Sequence, residues 1–73
     1  MALVDVKTEI TGSVWKVVKA VGDTVTEDEP ILILESMKME IPVEAPEVGV
    51  VKEILVAEED TVTEGEVVAR IEV

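Results

Sequence analysis

The chain has 73 residues, no cysteine and no histidine, so neither a disulfide nor an imidazole metal site is available to a length at which one hydrophobic core is barely sufficient. Its net charge of −11 argues against nucleic acid and against anionic membrane surfaces, both of which need basic groups on the protein. What remains is an apolar core of mostly valine, isoleucine and leucine with one aromatic, Trp15.

Several expectations follow from size alone. The chain reads as one domain over residues 1–73, complete and free-standing from Met1, and a monomer when isolated. No basic segment followed by an apolar stretch opens it, and no apolar run approaches the ~20 residues of a membrane span. Absence of cysteine fits a reducing compartment, so a cytoplasmic protein is expected.

In chain order, the first strand signal is Leu3 to Lys7, with Val4 and Val6 alternating with polar residues. Gly12 to Val18 follows, rich in the branched residues that suit pleated surfaces. Gly22-Asp23 and Asp28-Glu29-Pro30 are turn signals. Ile31-Leu32-Ile33-Leu34 is a continuous apolar run, the pattern of a strand covered on both sides. Ile41 to Val43, Gly49 to Val56 and Val67 to Val73 complete the strands, separated by Ala45-Pro46, Glu59-Asp60 and Glu64-Gly65-Glu66. No helical period is sustained over ten residues. Trp15 is expected to pack in the core.

A shift of 37 residues overlays the sequence on itself. Asp23-Thr24-Val25-Thr26-Glu27 falls on Asp60-Thr61-Val62-Thr63-Glu64, and ten of 24 positions between residues 12 and 35 are identical. Two copies are too few for a solenoid, so a closed pseudo-two-fold pair is expected, an all-β sandwich or flattened barrel. Copy one ends near Glu35 and the next strand begins near Ile41, which makes Ser36 to Glu40 a tight reversal. Lys38 sits at its apex and is the sole basic residue between Lys19 and Lys52. The termini belong to the opposite end.

Glu35-Ser36-Met37-Lys38-Met39-Glu40, followed by Ala45-Pro46 and Gly49-Val50-Val51, resembles the attachment site of the biotinyl/lipoyl carrier family. The resemblance extends over almost the whole chain. It implies a flattened barrel of two four-stranded antiparallel sheets, with an acceptor lysine on the hairpin opposite the termini. It further implies that Lys38 receives biotin from a biotin protein ligase, then carries a carboxyl group between a biotin carboxylase and a carboxyltransferase. Lipoyl domains usually place Asp before the lysine and a small residue after it; Met37 and Met39 here favour biotin. Lipoate, attached by a lipoyl ligase, is the alternative cofactor, alone or alongside biotin. Met37 and Met39 are adaptable apolar groups for successive partners, and Glu35 and Glu40 flank them as candidate recognition charges. Members of this family usually have glycine at the positions of Asp28 and Glu59, and some carry an inserted thumb that is missing between Val18 and Asp23.

Two other classes compete. An enzyme would have carboxylates in plenty but no histidine, cysteine or tyrosine, and too little bulk for a water-excluding pocket. The acidic runs Glu27-Asp28-Glu29 and Glu58-Glu59-Asp60 lack the alternating ligands and central glycine of a calcium loop, and read as solvated turns, so no metal is expected. An unmodified adaptor protein is the distant alternative. The reading adopted is a non-catalytic carrier.

Overall fold

In the computed structural model, which describes residues 2–73, eight strands form two four-stranded antiparallel sheets. The strands are β1 (Leu3–Lys7), β2 (Gly12–Val17), β3 (Thr24–Val25), β4 (Pro30–Ser36), β5 (Met39–Glu44), β6 (Gly49–Ile54), β7 (Thr61–Val62) and β8 (Val67–Glu72). One sheet has the order β1-β8-β6-β3 and the other β5-β4-β2-β7. Among the described residues there is no helix, and hence none long and apolar enough to cross a membrane. The molecule measures 36 × 18 × 18 Å.

The two orders are the same order after the 37-residue shift, which carries β1 to β4 onto β5 to β8. Each sheet therefore takes two strands from each copy: β2–β4 and β6–β8 pair within a copy, and the other ladders pair one copy with the other. Backbone bonds repeat the exchange: Val14 N–H donates to Asp60 O and Val51 N–H to Asp23 O, both at 2.8 Å. The core repeats it as well. Val6, Val14, Val25, Ile31, Leu32 and Leu34 are buried together with their mates Val43, Val51, Val62, Val68, Ala69 and Ile71. Ala45 is buried too, and its mate Thr8 is a buried polar side chain. The Thr8 hydroxyl is satisfied locally, donating to Ile10 O at 2.8 Å and accepting Ile10 N–H at 3.2 Å. That local ring removes the cost of an unpaired hydroxyl in the core.

The stretch identical in both copies is turn chemistry. Asp23 Oδ2 accepts Ala20 N–H and Asp60 Oδ2 accepts Ala57 N–H, each at 2.9 Å. Glu29 Oε1 accepts Thr26 N–H and Glu66 Oε1 accepts Thr63 N–H, each at 3.0 Å. Carboxylates close such turns by replacing a backbone acceptor. Lys19 reaches Glu29 at 2.8 Å, which holds the Glu29 carboxyl below its usual range through the hydrogen bond and charge of that amine.

The strands correct two sequence expectations. Pro30 pairs with Glu44 and Leu32 with Val43, leaving Ile31 as an extra residue; Val68 is its counterpart between Val67 and Ala69. Ile31 and Leu32 consequently both enter the core, while Ile33 faces out and is half-buried. The apolar run thus records a bulge, not a strand covered on both faces. A second bulge falls at Trp15, between the pairs Val14–Leu34 and Lys16–Ile33. Trp15 follows the buried Val14 and faces out together with Lys16, 47% exposed, where core packing was expected. The short strands β3 and β7 fall between turn signals, in residues the sequence assigns to no strand.

Left-handed backbone appears at equivalent places in both copies. Gly22 (φ 97°) matches Glu59 (φ 77°), and Asp28 (φ 70°) matches Gly65 (φ 86°). Asp28 and Glu59 are the two positions where glycine is usual in the family, and the turns keep the glycine geometry without the glycine. Glu59→Gly should therefore raise unfolding free energy by about 1 kcal/mol, the relief of one left-handed non-glycine residue, read by urea denaturation. At Gly49 a Cβ would lie 2.6 Å from Glu72 O, and at Gly12 2.7 Å from Glu35 O. Either glycine changed to alanine forces backbone apart, and a loss of about 1–3 kcal/mol is expected in the same measurement.

Candidate functional site

The hairpin joining β4 to β5 is a two-residue turn. Glu35 pairs with Glu40 and Ser36 with Met39, leaving Met37 and Lys38 as the tip. Both tip residues have positive φ, 52° and 66°. This is the φ pattern of a type I′ turn, whose twist matches the strands it joins and which normally takes Asn-Gly. Met-Lys in that place carries about 1–2 kcal/mol of strain per residue. The sequence gives no sign of it, because neither residue is a left-handed former. It is the one feature of the tip that sequence reasoning missed.

The strain is held by what lies beneath. β4 runs between β5 and β2, with Leu32 and Leu34 fully buried, so the hairpin is an extension of the core. Ser13 of β2 pairs with Glu35, and Gly12 brings its Cα against Glu35 O, close enough that only glycine fits. The site lysine is thus anchored through two residues of strand on each side.

All five residues singled out in the sequence come together here. Lys38, Met37 and Met39 are exposed, Met37 at 92% and Met39 at 61%. Glu35 and Glu40 are exposed and directly opposite one another. Like charges in that relation are unfavourable, so the pair is not there to stabilise the hairpin. Lys38 takes part in none of the salt bridges among the described residues, which use Lys19 and Arg70. Its amine is presented without an intramolecular carboxylate bound to it.

The 37-residue shift carries Ser36 and Met39 onto Val73 and Ala2. Those two residues exchange backbone bonds as well, Val73 N–H to Ala2 O at 2.9 Å and Ala2 N–H to Val73 O at 3.3 Å. The termini and the hairpin tip are therefore symmetry mates, at opposite ends of the barrel. Chemically, the arrangement offers one primary amine, able to form an amide, between two exposed thioethers and above two carboxylates. That donor set fits a cofactor joined through an amide to lysine.

Comparison with known proteins agrees with this geometry. The profile of the biotin/lipoyl family, described as "Biotin-requiring enzyme", matches residues 3–71. A biotin/lipoyl attachment protein of Bacillus subtilis is 45% identical over 62 residues, covering 85% of each chain. The dihydrolipoyllysine-residue acetyltransferase component of the pyruvate dehydrogenase complex of Corynebacterium glutamicum is 45% identical over 60 residues, 82% of this chain and 9% of that one. The Kluyveromyces lactis urea carboxylase superposes with a TM-score of 0.93 at 39% identity, covering 99% of this chain and 6% of that one. This chain is a member of the biotin/lipoyl attachment family.

Proposed function

We propose that this chain is a biotin carrier and that Lys38 is the residue acylated. The observation that carries the reading is the tip itself: an unpaired, exposed lysine at a two-residue turn, between methionines, on a hairpin continuous with the core. Met37 and Met39 in place of Asp and a small residue favour biotin over lipoate. The similarity to a carboxylase supports a biotin carboxylase and a carboxyltransferase as the enzymes served.

Among the described residues no carboxylate is ion-paired with Lys38 Nζ, and removal of its proton is assigned to a biotin protein ligase. Lys38 Nζ gives up a proton, forms the amide bond to the activated acyl carbon, and the bond to the activating group breaks with its electron pair leaving on that group. The chain's own part is positional. A rigid tip brings one amine, and not Lys19 or Lys52, into another protein's site. When attached, biotin supplies the atom that holds a carboxyl group in transit. The lysine stem then acts as a tether, keeping that group at high effective concentration near each enzyme it visits. The chain acts as a non-catalytic carrier, a single unit over residues 1–73 working as a monomer in the cytoplasm.

A second reading keeps the residue and changes the group. Similarity to an acetyltransferase component with a dihydrolipoyllysine residue, and to an attachment protein named for both groups, supports lipoate on Lys38 through a lipoyl ligase.

Intact mass of the protein from cells holding both ligases, with the modified peptide sequenced, separates these readings. A biotinyl increment on Lys38 is expected. A lipoyl increment there moves the chain to the second reading, and an unmodified chain leaves an adaptor. Lys38→Ala is expected to lose the label while its unfolding free energy stays within about 0.5 kcal/mol of wild type. Lys38→Arg is expected to lose it too, since a guanidinium is a poor acyl acceptor. A Lys38→Ala chain that unfolds would make Lys38 structural.

A further inference from the structure

The pseudo-two-fold supplies an internal control for the outer faces of the barrel. What the fold requires should occur in both sheets, and what only one sheet carries needs another reason. In the sheet containing β8 the middle of the outer face is a charged row: Arg70 donates to Asp5 at 2.9 Å and lies 3.5 Å from Glu53, with Lys52 exposed beside them. The equivalent positions in the sheet containing β4 are Ile33, Pro42, Lys16 and Trp15. Ile33 pairs with Pro42 on one side and with Lys16 on the other. An ion-paired row on one face is thus replaced, on the other, by isoleucine, proline and the chain's single aromatic, with the exposed Lys16 next to Trp15 as the one charge among them.

The apolar row is bounded by acid. Between it and the tip lie Glu35 and Glu40, facing one another across the strand pair. Trp15 shares a shallow depression with Ser13, Glu35, Glu58 and Glu59, and Glu58 accepts the Val17 N–H at 3.4 Å just past the Trp15 bulge. Alternation from the buried Val14 faces position 15 outward, where the other copy has Lys52, so the fold needs an outward residue there but not an indole.

Distance links the face to Lys38. Trp15 lies level with Leu34 and Ile33, and Leu34 is four residues from Lys38, about 13 Å along the strand. A standard protein interface covers about 800 Å² on each partner, a patch about 30 Å across. A protein that closes over Lys38 from this side covers Trp15 as well.

We infer that the outer face of the β5-β4-β2 sheet, with Trp15 as its anchor, is the surface on which the ligase that acylates Lys38 docks. This rests on the Lys38 reading above. The complementary surface on the ligase is an apolar slot for the indole with basic groups at its rim, matched to Glu35, Glu40, Glu58 and Glu59. The opposite sheet, charged and self-paired, stays outside the contact.

The test is steady-state acylation of the full chain by the ligase that labels it, with carrier concentration varied. Trp15→Ala should raise KM about tenfold or more and leave kcat unchanged, the behaviour of an anchor that acts in binding alone. Trp15→Phe should restore most of the affinity, and Lys52→Ala, the equivalent position on the other face, should have no effect. Wild-type KM should rise with ionic strength. Thermal melts of each variant establish that the barrel is intact. Wild type labelled with KM unchanged in Trp15→Ala would overturn the docking surface while sparing Lys38, and a KM indifferent to salt would overturn the basic rim. A wild-type chain that no ligase labels would overturn the Lys38 reading and this one with it.

Discussion

The structure depends on an exchange of strands between two copies that cannot fold apart. Each four-stranded sheet takes two strands from each copy, and the ladders β1–β8, β4–β5, β3–β6 and β2–β7 join one copy to the other. Within each copy, Gly12 and Gly49 let β2 and β6 lie so close to Glu35 of β4 and Glu72 of β8 that a single methyl group would not fit. The same repeat carries the paired bulges, the paired turns and the paired core. It also leaves one place where the symmetry is necessarily broken. The connection between the copies exists once, and its mate is the Ala2–Val73 pair, which no turn joins. Whatever the tip residues do, the fold does not require their identity to be repeated.

Much of this was legible in the sequence because it was written twice. The repeat located the strands, and the unpaired connection located the hairpin, without knowledge of the family. The resemblance supplied the count of eight strands, which the residues alone did not. Thr24–Val25 and Thr61–Val62 are two-residue strands, too short to show a period, and they lie between closely spaced turn signals. A bulge defeated the pattern elsewhere. A period of two fails wherever an extra residue is inserted, so Ile31-Leu32 looked like a strand covered on both faces. Trp15 was expected in the core as the single aromatic, although alternation from Val14 faces it outward. The left-handed residues Asp28 and Glu59 could be found only from their glycine mates, and Met37 and Lys38, whose mates are the chain ends, had no such signal.

Reading the copies against each other also sorts the charged residues. Asp23, Asp60, Glu29 and Glu66 recur because each accepts a backbone N–H in a turn. These acids are part of the fold, and the apparent excess of carboxylate in the two acidic runs is partly turn closure. Glu35 and Glu40 are different. They face each other where the equivalent positions are Glu72 and Leu3, so one glutamate repeats and the other does not. The unrepeated glutamate creates a repulsion next to the tip, on the strand edge closest to Lys38.

Costs therefore accumulate in one region. Two consecutive non-glycine residues in left-handed backbone, at about 1–2 kcal/mol each, are a considerable part of the 5–15 kcal/mol by which such domains are stable. Opposed glutamates and a solvent-exposed indole lie within the same patch of surface. The Ala2–Val73 pair that matches the base of the tip carries backbone bonds alone, and the face that matches that of Trp15 carries a salt-bridged row. Left-handed non-glycine backbone also occurs at Asp28 and Glu59, but the mate of each is a glycine of the same turn, Gly65 and Gly22. Costs that no turn of the repeat shares, set around a lone exposed amine, are what a surface selected for other proteins to grip would look like, with the symmetrical core supplying the stability that the tip gives up.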